Sequence, residues 1–190
     1  MFRLLATCAA VAISLTTVGC TTTKPSDNPA DAPSARSSIN AQTDAALAKL
    51  YSQDPGSVAM IRKARGVLVF PAVVSAGFVV GGSYGKGALR VGGHTEGYYS
   101  TTAASVGLLA GAESKAVYIL FLTDDSLNKF RSSSGWTAGA DASVSVLNAG
   151  ASADADTVTA QKAVVGYVLT NAGLMANLAI DGTKVSKLDM

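Results

Sequence analysis

The sequence predicts an α+β fold: a predominantly antiparallel, curved, glycine-rich sheet or barrel with two or three short helices. Runs of β-branched residues follow one another from Gly66 to Leu188, and glycine interrupts them where helical periodicity is absent. The chain carries 19 glycines but a single Trp, which suggests tightly apposed β structure with few large side chains. Helix start and stop signals are confined to a few short stretches. The 190 residues suffice for one domain with a sizeable core plus extensions. They divide into a leader over 1–19, a modified Cys20 with a tether to residue 38, and one folded domain over 39–190.

The leader, MFRLLATCAAVAISLTTVGC, has one charge at Arg3 and an apolar run from Leu4 to Leu15. That run is shorter than the roughly 20 residues needed to span a bilayer and suits the h-region of a secretory signal. It ends in Gly19-Cys20, which looks like a bacterial lipobox, although Thr17 stands where Leu is usual. The Cys20 thiol would accept a diacylglyceryl group and cleavage before it would free an amine for further acylation. Two or more chains anchor firmly where one holds only marginally. Thr21 follows Cys20, so the expected location is the outer membrane, facing the periplasm. Cys8 leaves with the leader, so the mature chain forms no internal disulfide and no cysteine metal site. Residues 21–38, rich in Thr, Pro, Ser and Ala, read as a flexible tether.

Ile39 to Tyr51 reads as a short helix with Ala46, Leu47 and Leu50 on one face. Asp54 and Pro55 signal a second helix with Val58, Ile61 and Ala64 inward, Arg62, Lys63 and Arg65 in the last turn, and Gly66 as its stop. Gly66 to Phe70 is a strand ended by Pro71. AGFVVGGSYG and GALRVGG follow as successive strands, then the long segment Tyr98 to Gly111. Ala116 to Leu122 is the most hydrophobic run and the expected central strand. Thr123 caps a third helix, with Asp124 and Asp125 in its first turn, Lys129 and Arg131 in its last, and Leu127 and Phe130 facing the core. ADASVSVL suggests another strand. The carboxyl end reads as a meander with turns at Asn171-Ala172-Gly173 and Asp181-Gly182.

Charge and motif content exclude several functions. Charged residues are 15% of the chain and the net charge is +2, which gives no clustered basic face for nucleic acid. Gly81-Gly82-Ser83-Tyr84-Gly85 matches the G-x-S-x-G of a hydrolase nucleophile elbow. The elbow needs a helix after Ser83, but GKGALRVGGH carries four glycines in ten residues. It also needs an acid before the histidine. His94 is the sole histidine, and no Asp or Glu lies between it and Ser83. A serine hydrolase using Ser83 is therefore a remote alternative, and no catalytic residue is expected. Gly87 follows Lys86 where a phosphate loop needs Ser or Thr, so no nucleotide site is expected. Metal sites and cofactors are not expected either. His94 lies in a glycine-rich exposed turn, and Asp154 and Asp156 lack the glycine and distal Glu of a calcium loop. The remaining candidates are Arg62, Lys63 and Arg65 beside an apolar helix face, with Lys86 and Arg90 further on. A basic amphipathic element of this kind can sit on anionic head groups.

Three blocks in order carry a family resemblance: ARGVLVFPAVVSAGFVVGGSYGKGAL, YYSTTAASVGLLAGAESKAVYILFLTDDSLNKFRSSSGWTAGADASV and VVGYVLTNAGLMANLAIDGTKVSKL. Together they resemble the SYLF domain, over about Ser57 to Leu188. The resemblance implies a lipid-binding module without catalytic activity. Eukaryotic members bind phosphoinositide membranes, and some bind and bundle actin. Their lipid contact is associated with an amphipathic basic segment at the start of the domain, which corresponds here to Asp54–Arg65, with Ala64-Arg65-Gly66 in place of Ala-Lys-Gly. A chain carrying this leader does not meet cytosolic actin or phosphoinositides, and no SH3 or FYVE pattern accompanies the domain. The expectation is a lipid-anchored envelope protein that binds phospholipid membranes through a basic amino-terminal helix, with an envelope or host protein as a further partner. The alternative is a non-catalytic structural or protein-interaction module of the envelope without lipid preference.

Overall fold

The computed structural model describes residues 32–77, 80–106, 111–147, 161–175 and 180–190. Cys8, Cys20, the tether up to residue 31, and the acidic pair Asp154 and Asp156 lie outside the described residues. The elements are α1 (Ala32–Gln53), α2 (Ser57–Lys63), β1 (Gly66–Gly77), β2 (Val80–Val91), β3 (His94–Val106), β4 (Gly111–Phe121), α3 (Asp124–Ser132), β5 (Trp136–Thr137), β6 (Ser145–Val146), β7 (Val164–Thr170), β8 (Gly173–Leu174) and β9 (Lys184–Leu188). Among the described residues the fold is mostly sheet with three helices. Helix α1 begins at Ala32, ahead of the expected start at Ile39, and its 22 residues make it long where a short helix was expected.

The nine strands form one sheet in the order β5-β9-β3-β2-β1-β4-β7-β6, with β8 paired to β7. The pairings are antiparallel except β6 with β7, so the sheet is mixed. The ADASVSVL stretch thus supplies the parallel strand, reduced to Ser145–Val146. Strand pairs lie about 4.8 Å apart, which would set the two edges of a flat sheet in this order about 34 Å apart. The link from Thr137 to Ser145 reaches at most about 29 Å when fully extended. It also contains a tight turn, in which the Gly139 amide donates to the Ala142 carbonyl. The sheet therefore curls into a half-barrel that brings its edges together.

The curl gives two cores. On the inner face, Leu68, Phe70, Leu89, Ile119 and Val168 pack with the aromatic group Tyr99, Phe121, Phe130 and Trp136. Ring centroids of Phe121 and Phe130 are 4.8 Å apart, and Trp136 meets Phe130 edge-on at 5.7 Å. Helix α3 closes this side as its sequence requires: Thr123 Oγ1 accepts from the Ser126 amide, and Leu127 and Phe130 are buried. Arg131 pairs with both carboxylate oxygens of Glu96, tying α3 to β3. On the outer face, Val67, Val69, Tyr118, Leu120, Tyr167 and Leu169 pack under Ala46 and Leu50 of α1 and Met60 of α2. Buried Tyr118 donates to the Ala46 carbonyl at 2.7 Å, and burial raises its phenol pKa. Near the amino end of α1, Asn40 bonds Tyr98 and Thr95, so the helix is fixed along the sheet.

Several local expectations change. Pro71 does not end β1. It sits at a β-bulge between Val69 and Ala72, where the ladder slips and no N–H is required. The two short strands expected over 76–93 are the end of β1 and one continuous strand, β2. The turn joining β2 to β3 is Gly92-Gly93, both at positive φ, and His94 beside it is exposed. The carboxyl-terminal meander is formed in part: β7 and β8 make the expected antiparallel hairpin around Asn171-Ala172, but among the described residues β9 does not continue it. After the turn at Asp181-Gly182, β9 crosses to the other side of the sheet and pairs with β3 and β5. Residues 176–179 lie outside the described residues.

Candidate functional site

Helix α2 has seven residues, and its register differs from the expected one. Its N-cap is Gly56, with no side-chain cap, and Asp54 is buried. Ser57 and Met60 form the buried side, while Ile61 and Ala64 are half-buried. Val58, expected inward, is exposed. The C-cap is Ala64. Gly66 instead opens β1 and is buried because a Cβ there would lie 2.8 Å from Leu127 Cδ1 of α3.

The consequence is an exposed surface at the end of α2. Arg62 and Lys63 stand in its last turn, and Arg65 follows in the link to β1. All three are exposed. Val58 lies one turn before Arg62, so an apolar side chain and a cation share the outward side of the helix. Arg65 Nε is 3.5 Å from Asp124 Oδ2 at the start of α3, with both side chains mostly exposed, so this pair is screened and weak. The Arg65 amide donates to the Phe121 carbonyl, which fixes this end of the patch to the end of β4.

Lys86 and Arg90 do not join that patch. Both lie on the outer face of β2. Arg90 opposes Val67, and its side chain, only 16% exposed, is held by α1: Nη2 donates to Asp44 Oδ1 at 2.6 Å. Arg90 is therefore a bolt between α1 and the sheet. Lys86 opposes Ala72, six strand positions from Gly66, or about 20 Å along β1. Around it the outer face carries the exposed cross-strand pair Val74 and Tyr84, with Val80 beyond. Sequence patterning missed this apolar area. Alternation along β1 and β2 marks one side as outward, but only the course of α1 decides which part stays uncovered.

Ser83 lies within β2, paired with Ser75 and Ala103, and the chain continues as strand to Val91. The strand–turn–helix geometry of a nucleophile elbow is absent there. The Ser83 hydroxyl donates a long bond, 3.5 Å, to the Ala103 carbonyl. Glycines 85 and 87 have a packing cause instead: a Cβ at 85 would lie 2.9 Å from the Ala72 carbonyl oxygen, and one at 87 would lie 2.0 Å from that of Val69. Among the described residues no three metal-ligating side chains gather, and no helix is long and apolar enough to cross a membrane.

Residues 102–189 match the model of the family described as "Ysc84: Las17-binding protein actin regulator", the family of the SYLF domain. The match begins within β3 and ends at β9. The basic end of α2 lies before it. Comparison with curated proteins found no match.

Proposed function

We propose that this is a SYLF-type binding module that docks on anionic phospholipid through the exposed end of α2, while acyl chains on Cys20 anchor it at the outer membrane. The observation that carries the docking is the surface of α2 itself. Arg62, Lys63 and Arg65 are exposed next to the exposed Val58, and the Arg65–Asp124 pair is screened. The family match supports a binding role, and the leader supports the anchor. The reading assigns no catalysis and no cofactor. Each cation near an anionic surface adds about 1 kcal/mol. Changing Arg62, Lys63 and Arg65 together to Ala should therefore lower partitioning to phosphatidylglycerol vesicles by about a hundredfold at low salt. Lys86→Ala, far from the patch, should leave it near the wild-type value. Equal binding by the triple variant and the wild type would remove α2 from the docking surface.

A second reading has its own observation. The exposed Val74 and Tyr84 pair, with Val80, gives the outer face an uncovered apolar area suited to a protein partner. The family's description names a protein-binding activity, which favours such a partner in the envelope. Tyr84→Ser would abolish that interaction and leave vesicle binding intact.

A further inference from the structure

The inner face of the half-barrel holds a partly open cavity of about 240 Å³ that the α2 surface does not use. Strand register builds it. Glu113, Ser75, Ser83 and Ala103 form one row across β4, β1, β2 and β3. The next row inward is Lys115, Val73, Gly85 and Thr101. Gly85 contributes no side chain to the middle of that row. Deeper lie Phe70, Val117, Ile119, Val168 and Ile180, which form an apolar floor. Polarity therefore changes in order, from an aliphatic and aromatic floor to hydroxyls and an ammonium, then to open solvent.

Three features select the ligand. The cavity is smaller than the roughly 300–1,000 Å³ of drug-sized pockets, so it takes one narrow chain and not a two-chain lipid. Ser75 and Thr101 are nearly inaccessible, yet both line the cavity. Lys115 is half-buried at the boundary between floor and mouth, and among the described residues it has no ion pair. Glu113 and Asp181 also line the opening. They are exposed, where solvent screens them. The cation nearest the floor therefore sets the preference for the head group.

We propose that this cavity binds a single alkyl chain ending in an anionic group, with the chain on the Phe70–Ile119 floor and the anion at Lys115 and the hydroxyls of Ser75, Ser83 and Thr101. A fatty carboxylate and the phosphate of a single-chain phospholipid share this chemistry. The site is independent of the α2 surface.

The test is photolabelling of the full chain with dodecanoate carrying a diazirine near its chain end, read by peptide mass spectrometry. Label is expected on the strands bearing Val117, Ile119 and Val168. Ser83→Phe, which fills the mouth, should remove it, and Lys115→Gln should raise the half-saturating concentration about tenfold. The Arg62, Lys63 and Arg65 triple variant should label as the wild type does, whatever its vesicle binding. Competition by dodecyl phosphate at lower concentration than dodecanoate would support the site and assign the phosphate as its head group. Competition by dodecanoate at the lower concentration would support it and assign the carboxylate. Label spread over exposed residues, label unchanged in Ser83→Phe, or equal labelling by a neutral dodecanol probe would overturn the proposal.

Discussion

Replacing Gly87 with Ala should disrupt the sheet, whereas the same change at Gly82, five residues earlier in the same strand, should not. At Gly87 a Cβ would lie 2.0 Å from the Val69 carbonyl oxygen and 2.7 Å from Phe70 Cδ1. The oxygen is backbone at the β-bulge, and Phe70 is 1% exposed, so neither moves without opening the β1–β2 pairing. Overpacking of this kind costs about 1–3 kcal/mol, and the upper end applies where backbone must shift. At Gly82 the nearest atom to a Cβ is the Ala103 carbonyl oxygen at 3.9 Å, and Gly82 is not among the glycines at positive φ. Alanine there should stabilise by about 0.4–1 kcal/mol through lost freedom in the unfolded chain. A chain of this size shifts by about 2–4 °C per kcal/mol, so Gly87→Ala should melt about 6–12 °C below the wild type. Thermal unfolding followed by far-ultraviolet circular dichroism reads both variants. A Gly87→Ala melting temperature at or above that of Gly82→Ala would refute the close-approach account of Gly87.

Leu50→Ala removes a fully buried side chain where α1, α2 and the outer core meet, so denaturant titration should show a loss of about 2–5 kcal/mol. Tyr118 has a raised pKa in the folded chain, so its phenol keeps its proton where the unfolded chain loses it. Stability should be unaffected by this group below pH 10 and fall above it, by up to about 1.4 kcal/mol per pH unit. In Tyr118→Phe that alkaline slope should flatten, and identical slopes for the two proteins would count against burial as the cause.

Local elements were legible where neighbouring residues decide them. Helix α3 carries its cap, its first-turn acids, its last-turn cations and its buried pair within ten residues of sequence, Thr123 to Ser132. Helix α2 is two turns long, and spacing by three on so short a helix does not determine which side is buried. Only its packing on the sheet chooses Met60 over Val58. Pro71 reads as a stop because proline has no N–H to give, and the bulge that accommodates it depends on both flanking strands. The path of β9 was hidden for a similar reason. Asp181-Gly182 fixes a turn, but the pairing of the strand that follows depends on the curl of the whole sheet. Among the candidate binding residues, Arg62, Lys63 and Arg65 could be grouped from adjacency alone. Arg90 meets Asp44 across a long stretch of sequence that carries no signal of the contact.

The most direct test of the docking account is co-sedimentation of the chain beginning at Thr21 with phosphatidylglycerol and phosphatidylcholine vesicles at low and high salt. The account predicts binding to the anionic vesicles that weakens steeply with salt, with little binding to the neutral ones. Absence of binding to either vesicle, or binding indifferent to salt and head group, would contradict it.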